Sequence, residues 1–316
     1  MTGVLLIGGS GTIGQATARA LVAAGHEVTA LLRPASKADL PGCHVLRAEL
    51  ADEAALAAAF SSIRPMAVVS CLASRTGLPA DAWAVDHAAQ SRVLQAAVAA
   101  GVGRFVLLSA ICVQKPMLAF QQAKLAFEAE LQAAPLAWTI VRPTAFFKSL
   151  SGQVARVQAG KPFLVFGDGR LTACKPISDR DLGRFLAACL TDPQAENRIL
   201  PIGGPGPALT PLDQAALLAR LIGTPVRVRR VPVALMDGII ALLSALGRLS
   251  AKQAARAEFA RIGRYYGTQS MLVWNAAQGR YDAEATPEFG DDGLEDHYAA
   301  LLRGEATADL GAHAAF

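Results

Sequence analysis

Val4-Leu5-Leu6-Ile7-Gly8-Gly9-Ser10-Gly11-Thr12-Ile13-Gly14 is the stretch from which the architecture is read. Four apolar residues run directly into glycines spaced by three: Gly8, Gly11 and Gly14. A second apolar pattern follows at Ile13, Ala16, Ala20 and Leu21. The order is a buried strand, a tight turn and a helix. Gly8 lets the chain turn off the strand. Gly11 has no side chain, so a pyrophosphate can approach the backbone, and Gly14 lets the helix sit close to the sheet. The helix start then offers free N–H groups and a partial positive charge to phosphates. The flanking strand and helix distinguish this motif from a glycine-rich turn that merely packs tightly. Gly8, Ser10, Gly11, Thr12, Ile13 and Gly14 are therefore the first candidate cofactor contacts.

Outward from this opening, strand and helix patterns alternate. Strands are expected at 26–32, 44–47, 67–72, 104–109 and 138–141. Helices are expected at 13–24, 53–60, 83–100 and 120–132, with Gly25 and Gly101 as stops. Lys124 and Glu128 lie four apart on one helix face. Such alternation implies an α/β fold with a doubly wound parallel sheet, a Rossmann arrangement. Ligands then sit beyond the carboxyl ends of the strands. After Pro143 the rhythm breaks, and a return segment at about 178–206 opens on Ser178 or Asp179 as a helix cap. The expected organisation is a dinucleotide-binding domain over 1–143 plus that return segment. A smaller, interleaved substrate-binding portion covers 144–177 and 207–316.

Composition narrows the class. The chain has 316 residues, 53% hydrophobic and 18% charged, enough to build a large core. The net charge of +4 comes without a run of five basic residues, so no nucleic-acid partner is implied. The five cysteines are widely spaced, form no C-x-x-C pair, and read as reduced core residues of a cytosolic protein. The five histidines show no ligand spacing, so no metal site is expected. The first strand begins at residue 4, which leaves no room for a signal peptide, and no apolar run spans a bilayer. The apolar stretch 233–249 is expected to cover the substrate pocket, with a peripheral position on a membrane surface as its second reading.

Arg33 closes the second strand, where NAD-binding folds place an acidic residue on the ribose. No Asp or Glu lies between Glu27 and Asp39. An arginine there meets a 2′-phosphate, so NADPH is the expected cofactor. Ser109 ends the fifth strand and Lys124 lies on the next helix. Here the chain resembles the short-chain dehydrogenase/reductase superfamily, in its atypical, NmrA-like branch. The resemblance implies a serine at 109 and a lysine at 124 that contacts the nicotinamide ribose, with Pro143 also in the cofactor site. That superfamily has Tyr-x-x-x-Lys; this chain has Phe120-Gln121-Gln122-Ala123-Lys124. Phenylalanine cannot transfer a proton. Ordinary carbonyl reduction is therefore disfavoured. Reduction of a carbon–carbon double bond, or dinucleotide binding without catalysis, remains open.

The particular resemblance lies further on. Arg142-Pro143-Thr144-Ala145-Phe146-Phe147-Lys148-Ser149-Leu150, Phe166-Gly167-Asp168-Gly169, Lys175-Pro176-Ile177-Ser178-Asp179 and Arg264-Tyr265-Tyr266-Gly267 look like the NADPH-dependent divinyl chlorophyllide 8-vinyl reductases. The likeness runs from Gly8 to about Tyr298. It implies reduction of the 8-vinyl group of a magnesium tetrapyrrole to ethyl, in chlorophyll or bacteriochlorophyll synthesis. Such a macrocycle needs a broad apolar pocket with few polar anchors. Phe120, Phe146, Phe147 and Lys148 are the candidate substrate contacts. Lys161, Lys175 and Arg264 are further cations for a propionate, each by itself better read as a solvated charge. Lys124, Tyr265 and Tyr266 are the candidate catalytic residues, the two tyrosines as proton donors. Asp86 and His87 read as cap or core. Two alternatives stand beside this: a reductase of another conjugated alkene, isoflavone- or quinone-like, and a non-catalytic NADP-sensing regulator or assembly factor.

Overall fold

The computed structural model describes residues 2–306. The chain divides into two compact units. The first comprises Met1–Arg75, Pro79–Pro143 and Asp179–Ile202; the second comprises Thr76–Leu78, Thr144–Ser178 and Gly203–Phe316.

The first unit is a seven-stranded parallel sheet with helices on its faces. In chain order it holds β1 (Gly3–Ile7), α1 (Thr12–Ala23), β2 (Glu27–Leu32), β3 (His44–Arg47), α2 (Glu53–Ile63) and β4 (Ala67–Ser70). Next come α3 (Pro79–Ala82), a π-helical turn over Trp83–Ala89, and α4 (Gln90–Ala99). β5 (Arg104–Leu108), α5 (Ala119–Ala133) and β6 (Ala137–Pro143) follow. The strand order is β3-β2-β1-β4-β5-β6, then β8 (Arg198–Ile202) at the edge. Every pairing is parallel. The order reverses between β1 and β4, where Ile7 is in register with Leu31 on one side and Ser70 on the other. That reversal opens a crevice at the carboxyl ends of the strands.

Burial on both faces explains why β1, β4 and β5 are apolar runs rather than alternating ones. Leu5, Ile7, Val68, Phe105 and Leu107 pack with Phe60, Phe127 and Leu131 from the helices. Each such side chain, fully buried, stabilises the fold by about 1.5–3 kcal/mol. α8 (Asp179–Ala188) lies across α1. Gly183 makes that crossing close: a Cβ there would stand 2.7 Å from the Ala16 carbonyl carbon.

The second unit is built from α6 (Phe147–Leu150), α7 (Gly152–Gln158), β7 (Phe163–Phe166), α9 (Pro211–Ile222) and β9 (Val228–Val231). It continues through α10 (Val233–Gly247), α11 (Ala251–Thr268), β10 (Val273–Asn275), β11 (Arg280–Asp282) and α12 (Leu294–Arg303). β7 and β9 pair in parallel; β10 and β11 form an antiparallel hairpin. α9 begins with a reciprocal cap between Thr210 and Asp213 and ends at Gly223 in the left-handed region. Phe147, Phe163, Leu218 and Tyr298 centre the core of this unit. Tyr298 is fully buried, donates its hydroxyl to the Leu150 carbonyl at 3.0 Å, and is pushed well above the usual phenol range by burial.

One element departs from expectation. The helix expected at 83–100 starts earlier, at Pro79, and contains the π-helical turn. Stretch 233–249 forms a helix over Val233–Gly247, α10, which has no buried residue and an exposed outer stripe. All five cysteines are free; Cys112, Cys174 and Cys189 are buried as expected of core residues, with burial pushing the thiols of Cys174 and Cys189 up to about 12, whereas Cys43 and Cys71 are half-buried.

Candidate active site

The glycine loop is held by backbone contacts that exclude side chains. Gly8 has φ +76°, the left-handed region, and follows β1 directly. A Cβ on Gly8 would lie 2.6 Å from the carbonyl carbon of Cys71, the residue just past β4. A Cβ on Gly14 would lie 2.2 Å from the Gly8 oxygen. Gly11 differs: a Cβ there would meet only the Gly8 oxygen, at 3.6 Å. The loop is thus closed at Gly8 and Gly14 and open at Gly11. The N-cap of α1 is Gly11 itself, with no side-chain cap bond and no acidic residue in the first turn. A helix start with no side-chain cap and no acidic residue in its first turn makes a fitting place for a dinucleotide pyrophosphate. Ser10, Thr12 and Ile13 complete this turn. Arg33, one residue past β2, is exposed at the neighbouring strand end.

Ser109 and Lys124 stand beside one small hollow that is also lined by Asp86, Gln90 and Phe127. The Lys124 ammonium donates to Asp86 Oδ1 at 2.8 Å. The carboxylate of Asp86 is wholly buried and accepts two further bonds, from the Ser74 backbone N–H at 3.1 Å and the Ser74 hydroxyl at 2.5 Å. Ser109 donates its hydroxyl to Glu128 Oε1 at 2.5 Å. Glu128 is 1% exposed and is paired with Arg142, which reaches it through Nε at 3.2 Å and through Nη2. The i,i+4 relation between Lys124 and Glu128 therefore gives way to two longer-range ion pairs. Phe120 lies one turn before Lys124 and is 8% exposed. Pro143 ends β6 and is buried.

Chemically, this cluster has its charges matched and its serine proton committed. The Glu128 carboxylate has both oxygens engaged, by the Ser109 hydroxyl and the Arg142 guanidinium. With phenylalanine at 120, these three positions offer no phenol to a substrate oxygen. What remains available is the ammonium of Lys124, which has two protons left for further acceptors after Asp86.

The other candidates lie in the second unit. Phe146 is half-buried and pairs backbone to backbone with Ile177. Phe147 is a core side chain, 5% exposed, with its ring 5.2 Å from that of His297. Lys148 is half-buried on α6. Tyr265 and Tyr266 are adjacent on α11, their rings edge to face at 5.7 Å, but Tyr265 is 4% exposed and Tyr266 44%. Lys175 corrects an expectation. It is not a solvated charge: it is buried, and its ammonium donates to Glu288 at 2.5 Å and to the Thr286 carbonyl at 3.3 Å. Arg264 is paired with Asp237.

Asp86, Glu128 and Arg142 are the residues whose part in the cluster the sequence reading missed. One signal was present for Glu128. It falls on the stripe of α5 that carries Ala123, Phe127 and Leu131, all buried, where an acid needs a partner. Asp86 had no comparable signal, because the π-helical turn alters which side chains face inward.

Comparison with known proteins agrees with this geometry. Residues 8–193 match the NAD(P)H-binding family. An Escherichia coli NADPH-dependent quinone oxidoreductase solved with NADPH shares the fold at TM-score 0.69 and 19% identity, over 95% of this chain and 99% of that one. The divinyl chlorophyllide a 8-vinyl-reductase of Oryza sativa subsp. indica is 46% identical over 100% of this chain and 82% of its own length. That of Arabidopsis thaliana is 43% identical over 98% of this chain and 79% of its own length. With likeness of this depth along its whole length, the chain belongs to the divinyl chlorophyllide a 8-vinyl-reductase family.

Proposed function

We propose that this protein reduces the 8-vinyl group of a divinyl chlorophyllide to ethyl, with NADPH as the reductant. Family membership at 43–46% identity carries the assignment. The site supports it, because the phenol that carbonyl reduction would use is absent at Phe120 and the Ser109 hydroxyl is committed to Glu128. NADPH, when bound, supplies the hydride. The loop at Ser10, Gly11, Thr12 and Ile13 receives the pyrophosphate, and the closed positions Gly8 and Gly14 hold that loop in shape. Arg33 meets the 2′-phosphate. Lys124, fixed by Asp86, donates to the ribose hydroxyls and so orients the nicotinamide. Ser109 and Pro143 bound the same region.

Reduction adds a hydride to one vinyl carbon and a proton to the other. The conjugated macrocycle spreads the charge between those two events, so the protein's main contribution is to hold the alkene against the nicotinamide. Phe120 and Phe146 supply apolar surface for the ring, and Lys148 a counter-charge for its propionate. Phe147 serves the core. Tyr266, the exposed member of the tyrosine pair, donates the proton. Tyr266→Phe then lowers turnover about a hundredfold with NADPH affinity unchanged. Equal turnover in the two proteins would transfer the proton to water.

The assignment is tested by an absorbance scan of the purified protein with divinyl chlorophyllide a. Loss of the 8-vinyl conjugation moves the Soret band to the blue. A shift with NADPH and little with NADH is the expected result. No shift with either, despite tight NADPH binding, rules the substrate out.

A further inference from the structure

The hairpin of α10 and α11 presents an apolar stripe that no other described residue covers. Leu235, Ile239, Leu242 and Leu246 recur at steps of four, three and four along α10. At 100° per residue they fall within one narrow arc of the helix. They are 55%, 39%, 62% and 43% exposed, and Leu249, just past the helix, is 90% exposed. The other face of α10 is accounted for. Met236, Ile240, Leu243 and Gly247 are half-buried. Gly247 lies so close to α11 that a Cβ would stand 2.9 Å from Ala254 Cα. Ser244 accepts from Arg261 at 2.7 Å, and Asp237 pairs with Arg264. One face therefore builds the hairpin, and the other is left in water.

Charge says what that other face meets. From residue 227 to 256 the chain carries six basic residues and one acidic, a local net of +5 where the whole chain carries +4. The single acid, Asp237, is already paired with Arg264. Arg229 and Arg230 precede the helix, Arg248 and Lys252 follow it, and all four are exposed. An apolar stripe bracketed by cations matches the boundary between lipid tails and anionic headgroups. The same charges oppose a second copy, which would bring like charges together. Among the described residues no helix is long and apolar enough to cross a membrane, so the contact is one of lying on the surface.

We infer that the outer face of α10 docks the protein onto an anionic lipid bilayer, with Leu235, Leu242, Leu246 and Leu249 entering the tail boundary and the flanking arginines and Lys252 meeting headgroup phosphates. The inference stands apart from the assignment of activity, since it needs neither substrate nor cofactor.

The test is co-sedimentation of the full chain with vesicles of equal parts phosphatidylcholine and phosphatidylglycerol, and with vesicles of phosphatidylcholine alone. The chain is expected to pellet with the mixed vesicles, far less with phosphatidylcholine alone, and progressively less as salt is raised. Leu242→Ser with Leu246→Ser changes exposed positions and should lower partition by roughly tenfold or more. Arg229→Glu with Arg230→Glu should do the same on mixed vesicles only. Both variants should retain the parent melting curve. No pelleting with mixed vesicles overturns the inference, as does pelleting that neither variant weakens. A parent that elutes as a dimer, and a leucine variant that elutes as a monomer, would assign the face to self-association instead and equally overturn it.

Discussion

The glycine loop and the Ser109–Lys124 cluster stand at the same end of one sheet and are built on opposite principles. The loop is shaped by absent side chains: Gly8 and Gly14 are packed against backbone, and specificity lies in what cannot fit there. The cluster is shaped by side chains from several elements, with Asp86, Lys124, Glu128 and Arg142 neutralising one another in pairs. A backbone site is encoded by neighbours in sequence. A charge-paired site is encoded by residues that meet only after folding.

Four substitutions separate these principles, and the largest effect belongs to the cluster. Arg142→Ala leaves the Glu128 carboxylate buried with only Ser109 as partner. It is expected to cost about 3–5 kcal/mol, read as a lowered midpoint in urea. A loss below about 1 kcal/mol would mean that water or another cation replaces the guanidinium. Gly14→Ala attacks the loop, where both close partners are backbone and neither can swing aside. About 1–3 kcal/mol is expected, appearing as a ten- to hundredfold weaker NADPH affinity by titration calorimetry. Unchanged affinity would show that the loop can shift without losing its ligand.

Asp86→Asn keeps one of the two acceptor oxygens that Ser74 uses and removes the charge opposite Lys124. Its effect should be a roughly tenfold rise in the KM for NADPH, equivalent to about 1.4 kcal/mol, with the urea midpoint little changed. If only the midpoint moves, Asp86 is a structural partner and does not position the lysine. Arg33→Ala should have the narrowest effect. NADPH binding weakens about tenfold through one lost charge-assisted contact, while NADH binding is unaltered. Equal loss for both dinucleotides would remove the assignment of the 2′-phosphate to Arg33.

The sequence was most legible where the determinants are local. Val4–Gly14 announced strand, turn and helix because each step depends on residues within one turn of one another. The parallel sheet followed from alternation, and Gly25 from the stop it provides, with φ +80°. Ser109 could be found at a strand end, and Lys124 through the resemblance to the short-chain dehydrogenase/reductases. Their partners could not. Asp86 reaches Lys124 across 38 residues, and Arg142 reaches Glu128 across 14. Lys175 was misread for the same reason: its partner Glu288 lies 113 residues away, and a lysine followed by proline carries no sign of burial. α10 shows a different limit. Its hydropathy was plain, but hydropathy measures what a helix would prefer and not whether anything is there to cover it.

The return of α8 and β8 to the first unit has a consequence for how the chain is made. The chain emerges in order, yet the sheet it begins at residue 3 is not finished until residue 202. A nascent chain that has reached Pro143 exposes β6 as an open edge and leaves α1 without α8 across it, while the next segment to appear, 144–178, belongs to the other unit. The early strands must therefore wait, unpaired on one side, through the synthesis of a stretch that does not help them. Truncation at the natural-looking boundary after β6 yields a sticky fragment, not a minimal dinucleotide module. A workable dissection would have to splice out the intervening segment and keep the return.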